Sequence, residues 1–140
     1  MATQVLQNFI LSWLGQPQSL GGQFSVPGNC EKNFAEVINP FSNIELDLHW
    51  SADSLQSIFI VSDVAIEVYT NHDPNETAGQ QPTDAYPILA NFPWFWCRLS
   101  NIPNPFLDSL SVTRFFVQNS NTADANVYIK SIINGTVPFV

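Results

Sequence analysis

From Asn43 to Trp50 the chain alternates strictly: Ile44, Leu46, Leu48 and Trp50 are apolar, and Glu45, Asp47 and His49 between them are polar or charged. Successive side chains of an extended chain point to opposite faces. The run therefore predicts a β-strand with one face buried and one in water, as in an antiparallel sheet. The pattern recurs at 64–70, where Val64, Ile66 and Val68 share a face. Between the two, Leu55 to Val61 is nearly continuous in apolar residues and predicts a strand covered on both faces, with Ser62-Asp63 as a turn or bulge after it. Trp94 to Leu99 after Pro93, Leu110 to Gln118 and Asn126 to Ile133 add three more strands. The last two, joined by the polar link Asn119 to Ala125, predict a hairpin. Phe34 to Ile38 and Gln23 to Val26 are short strand candidates. Val5 to Leu14 is open to a strand or a short helix, and the alternation of Phe9, Leu11 and Trp13 favours the strand. No stretch shows a convincing helical period. About eight strands with regularly spaced turn signals predict an all-β fold, an antiparallel β-sandwich of jelly-roll-like kind.

A chain of 140 residues fits one domain and buries a core without disulfides or metals. The expected organisation is an N-terminal arm or first strand over 1–22, broken from the rest by the Gly/Gln/Pro-rich run 15–22, then a single sandwich over 23–140. Both termini are apolar: Phe9, Leu11 and Trp13 at one end, Pro138, Phe139 and Val140 at the other. Each is open to two readings, a strand of the domain's own sheet or an arm laid on a neighbour. Asn71 to Ala85, with Pro74, Gly79 and Pro82, predicts a long polar surface excursion.

Charge narrows the function. Only 11% of residues are charged, against about 25% in an ordinary soluble domain. A surface poor in charge and rich in phenylalanine suits a protein partly covered by partners, and equally a sandwich with a neutral polar coat. The net charge is −8, and the only cations, Lys32, Arg98, Arg114 and Lys130, are scattered. Phosphate backbones need clustered cations, and anionic membrane surfaces repel an acidic protein, so neither nucleic acid nor membrane is an expected partner. Cys30 and Cys97 lack metal-ligand spacing and read as free thiols in preference to one disulfide. The N-terminus carries no cationic segment and no unbroken apolar stretch of the kind a secretory leader has, which predicts synthesis in the cytoplasm.

Three constellations invite chemistry. Glu45, Asp47 and His49, at i, i+2 and i+4, are a possible ligand or acid–base set, and also what the wet face of an alternating strand looks like. His72, Asp73 and Glu76 lie in the long loop without a calcium-type spacing. Trp94 and Trp96 would project from one strand face, where paired indoles stack on sugar rings with Asn91 or Arg98 as a polar handle, or simply fill the core. With two histidines, no GxSxG elbow and no Gly-rich phosphate loop, the expectation is a non-enzyme with no cofactor and no metal. A carbohydrate-binding module or receptor-binding head is the alternative.

Taken together, Asn43-Ile-Glu-Leu-Asp-Leu-His-Trp50, the pair Arg114–Asn119 and Asn126–Ile133, the low charge and the small size resemble the small all-β head decoration, or cement, proteins of tailed phages. The resemblance implies a structural protein of the virion, a homo-oligomer (dimer or trimer) seated on the capsid surface, bridging major capsid proteins and strengthening the shell. It implies no catalytic residues. The expected partner contacts are the apolar arms, Phe9, Leu11 and Trp13 and Pro138, Phe139 and Val140, together with the aromatic segment Phe92, Trp94 and Trp96.

Overall fold

The computed structural model describes residues 28, 30–51, 53–76, 81–106 and 111–134, and the backbone alone of 11–13 and 16–18. Ten strands are present among them: β1 (Leu11–Trp13), β2 (Gln16–Gln18), β3 (Cys30–Ile38), β4 (Ser42–Leu46), β5 (Leu55–Ser62), β6 (Ile66–Thr70), β7 (Ala85–Ile88), β8 (Trp94–Cys97), β9 (Phe115–Asn119) and β10 (Ala125–Ile133). β1 and β2 form a small separate ribbon. The other eight make two four-stranded antiparallel sheets, sheet I in the order β3-β10-β5-β8 and sheet II in the order β4-β9-β6-β7.

The pairing has a simple logic. β6 pairs with β7, β5 with β8, β4 with β9 and β3 with β10. The chain is thus one long antiparallel ribbon, doubled back at β6–β7 and wrapped, so that its successive strand pairs fall alternately into two facing sheets. Two lateral pairings, β10 with β5 and β9 with β6, close each sheet. This is a jelly-roll-like sandwich, the architecture predicted from strand number and spacing.

Alternation builds the core. In β10, Ala125, Val127 and Ile129 are buried while Asn126, Tyr128 and Lys130 between them face out. β6 does the same with Ile66, Val68 and Thr70. Leu46, Leu48, Trp50, Ile58, Ile60, Phe115 and Val117 join them in one cluster between the sheets. At one end the core is aromatic: Trp50 meets Phe106 edge-on at 5.0 Å, and Tyr86 and Trp94 pack on the same Phe106 ring.

Several boundaries differ from the sequence expectation. Arg114–Asn119 and Asn126–Ile133 are not a hairpin: β9 lies in sheet II and β10 in sheet I, and the link 120–124 crosses from one to the other. Of the two readings of Ser62-Asp63 the turn holds: the chain leaves β5 of sheet I there and bends into β6 of sheet II. The 43–50 strand ends at Leu46; the chain bends at Asp47 and returns by an isolated bridge of Trp50 to Val112. Leu48 and Trp50 stay buried, so the alternation was correct for burial and misleading for pairing. β3 begins four residues before the expected Phe34, because Cys30 to Asn33 is polar and lies on a sheet edge. The break after Leu14 contains β2. The candidate strand 23–26 lies outside the described residues, as do 5–10 of the first candidate strand and 110 at the start of another.

Cys30 and Cys97 are both free. They occupy the opposite edge strands of sheet I, β3 and β8, with two strands between them. At about 4.8 Å per strand that separates them by roughly 14 Å, beyond the reach of a disulfide.

Candidate functional site

The register places four chain connections at one end of the sandwich. Ile38 pairs with Ala125, Ser62 with Val127, Ser42 with Asn119, Ile88 with Ile66, and Trp94 with Ile60. The links β3–β4, β5–β6, β7–β8 and β9–β10 therefore emerge together. They expose Phe41, Leu89 and Phe92, with Phe41 at 72% and Phe92 at 66% of full exposure. Phe41 lies at the β3/β4 edge of this end and Leu89 and Phe92 at the opposite β7/β8 edge; large apolar side chains on loop tips remain in water only against the hydrophobic effect, which makes each a candidate contact point.

These loops are held rigidly. The side-chain amide of Asn119, fully buried, donates to the carbonyl oxygens of Ile38 (3.0 Å), Asn39 (3.2 Å) and Ala123 (2.8 Å), joining the β3–β4 and β9–β10 links. Asn121 donates to the carbonyl of Ala65 and to Oδ1 of Asn119. Asn126 donates to Asp63 from its backbone nitrogen (2.8 Å) and its amide (2.6 Å). Those two bonds hold the Asp63 carboxyl below its ordinary pKa. The Asn91 nitrogen donates to the Ser62 carbonyl at 2.7 Å, which ties the β7–β8 link to the end of β5.

Two of the tips carry left-handed backbone. Asn91 has φ 63°, a conformation asparagine accepts. Phe41 has φ 54°, and there a bulky side chain is strained. It follows Pro40 in a tight turn, at the kind of position glycine usually fills. A strained, exposed phenylalanine on a clamped turn is retained at a cost in stability, which is how contact residues behave.

The apolar surface runs on to the outer face of sheet I. Tyr128 is exposed there beside Val61 and Asn91, and the next row across the sheet carries Lys130, Phe59 and Phe95 side by side, so the aromatic rings are flanked by a cation. The outer face of sheet II is different. Glu45, Glu67 and Gln118 line it together with the rings of Tyr69 and Phe116, and Phe116 is covered by the Arg114 guanidinium 4.7 Å from the ring centre.

The candidates from sequence separate on this frame. Phe92 is on the exposed end. Trp96 is 4% exposed, sits in the core and donates its indole N–H to the Ile102 carbonyl at 3.0 Å. Trp94 is half-buried against Tyr86. The pair shares one face as expected, but the face is the inner one, so Trp96 offers no surface to a sugar or a protein partner. Arg98 is spent on the backbone, donating to the Leu55 carbonyl with its guanidinium 5.6 Å from the Trp96 ring centre. The side chains of Leu11 and Trp13 and the whole of Phe9, Pro138, Phe139 and Val140 lie outside the described residues. Phe41 and Leu89 were missed in the sequence, where Phe41 is a lone apolar residue in a Pro-Phe-Ser turn, itself the available signal, and Leu89 merely continues the apolar run from Ile88 to Ala90.

At the other end, Glu45 is bound by Arg114 in a two-pronged pair (2.9 and 3.1 Å), and Arg114 also reaches Glu76 at 3.3 Å. The hydrogen bonds from Arg114 lower the Glu45 pKa. Asp47 meets Lys32 at 3.7 Å. Asp73 accepts from the Asn43 amide at 2.8 Å, which pins the described part of the 71–85 loop to β4. Among the described residues, no three His, Cys, Asp or Glu side chains gather as a metal site.

No protein-family model and no curated protein matches the chain. Among solved structures it is similar to a de novo designed double-stranded β-helix determined in solution, at 12% identity over 71% of this chain and 97% of that one, with a TM-score of 0.41. It is also similar to Drosophila melanogaster CENP-C from a crystal structure of its complex with CAL1, at 10% identity over 93% and 85% of the two chains, with a TM-score of 0.38.

Proposed function

We propose that this chain is a non-catalytic docking protein of a larger, symmetric assembly, and that the assembly is a capsid shell which it decorates and reinforces. The observation that carries the reading is the clamped end of the sandwich, which exposes strained Phe41 at its β3/β4 edge and Leu89 and Phe92 at its β7/β8 edge. Rigid loops lose little freedom on binding, so burying their apolar tips converts efficiently into affinity. Three aromatic or aliphatic anchors make a modest site on their own; repeated over a shell, and joined by the terminal segments, modest contacts sum to high avidity. The low charge supports a covered surface as well, and the partner is the major capsid protein, in stoichiometric copies.

The test is isolation of the native protein with whatever particle it accompanies, followed by binding of variants to stripped particles. Docking through the sandwich end predicts that the double change Leu89→Asp and Phe92→Asp leaves a folded protein that no longer co-sediments. Deleting residues 1–14 separates the arm's share from that of the loops. A native protein that is free of any particle, or a double variant that binds as well as the wild type, overturns the reading.

A further inference from the structure

Sheet edges are where a β-protein recruits a partner strand, and proteins blunt the edges they do not use. Three of the four edges among the described strands of the sandwich are blunted. β7 carries Pro87 at its centre, β8 has four residues and starts after Pro93, and β4 stops after five residues at the bend of Asp47. β3 is the exception: nine residues, no proline, about 30 Å of strand, with β10 its neighbour on one side and no described strand on the other. We infer that β3 pairs antiparallel with β3 of a second copy of this chain, centred on Phe34, so that Lys32 of each copy faces Glu36 of the other.

The register follows from symmetry and charge. A two-fold axis perpendicular to a continuous sheet keeps side chains of one face together, so a residue meets one of like parity across the join. Centring on Asn33 sets Glu36 against Cys30 and leaves Lys32 facing Phe34; centring on Ala35 sets Lys32 against Ile38 and Glu36 against Phe34. Only centring on Phe34 matches both charges, two Lys–Glu pairs flanking a Phe–Phe contact. Lys32 already meets Asp47 of its own chain at 3.7 Å, and Glu36 is exposed. Asp47 and the partner's carboxylate would then share one ammonium. Such a dimer makes one eight-stranded sheet from the two copies of sheet I and leaves the apolar sandwich ends free, so it stands whether or not the docking role is correct.

The experiment is sedimentation of the full chain and three variants across a concentration series, with circular dichroism as a folding control. The wild type is expected to dimerise. Lys32→Glu alone and Glu36→Lys alone each weaken the dimer about tenfold, and the double exchange Lys32→Glu with Glu36→Lys restores it to within about threefold. Glu36→Lys serves as the second variant should loss of the Asp47 pair unsettle Lys32→Glu. A monomeric wild type overturns the inference. If the β3 amides of that monomer resist hydrogen exchange, a segment of the same chain holds the edge instead. A dimer indifferent to either single change, or one that the double exchange fails to restore, overturns it equally.

Discussion

Asn119 shows how much one side chain organises. Its buried amide donates to three carbonyl oxygens, that of Ile38 at the end of β3, where the bond is buried, and those of Asn39 and Ala123 in two different links. Replacement by alanine strands them, at about 1–3 kcal/mol for a buried unsatisfied group, and a urea titration of Asn119→Ala is expected to show a loss of that size. Phe41 is the opposite case. Its φ of 54° suits asparagine better than phenylalanine. Phe41→Asn is therefore expected to leave stability unchanged or raise it by up to about 1 kcal/mol in the same titration, while weakening the docking proposed above. A fall in stability would mean that the ring packs for the fold rather than for a partner. Gly28 is fixed for a plainer reason: a Cβ there would fall 2.1 Å from the Ile132 Cγ2 atom, so glycine is what lets the backbone at this position lie so close to β10.

At the scale of elements, β8 and the loop before it divide the aromatic residues by role. Trp96 fills the core and Phe92 sits in water four residues earlier. Trp96→Ala should cost about 3–5 kcal/mol, as large-to-small changes in cores do, whereas Phe92→Ala should stay within about 0.5 kcal/mol. Thermal unfolding of the two variants decides this, and equal losses would place Phe92 in the core as well. Sequence reasoning recognised the aromatic density of this segment and could not assign it, because a strand's two faces are interchangeable until something covers one of them. The same ambiguity produced the false hairpin. β9 and β10 have the composition and the polar link of a hairpin, but a five-residue link serves equally well to cross between sheets, and the partners that captured each strand, β4 and β6 for one and β3 and β5 for the other, are distant in sequence.

Over the whole molecule, acid has a definite effect. Glu45 and Asp63 both have folded pKa values below their ordinary 4.5 and 3.8, Glu45 chiefly through its hydrogen bonds from Arg114 and Asp63 through those from Asn126. A carboxylate depressed on folding contributes stability that is complete above its unfolded pKa and is lost as pH falls through the folded one. Stability measured by thermal unfolding should therefore be level at neutral pH and decline below about pH 4.5, with salt reducing the Glu45 contribution because that pair is exposed. Glu45→Gln should flatten part of the decline. An unchanged slope would mean that the Arg114 clamp contributes nothing in solution.

The strand content and the sandwich class were legible in the residues, since alternation is a property of the chain read locally. The wet side of Glu45 and the buried side of Leu46, Leu48 and Trp50 followed from period alone. What only the tertiary structure decided was which strand meets which, and hence that the links before β4, β6, β8 and β10 share one end, that Trp96 faces inward, and that this end exposes Phe41 at one edge and Leu89 and Phe92 at the other. The reason is physical: burial preference acts on each residue separately, whereas pairing and proximity depend on long-range closure of a ribbon, which no local pattern encodes.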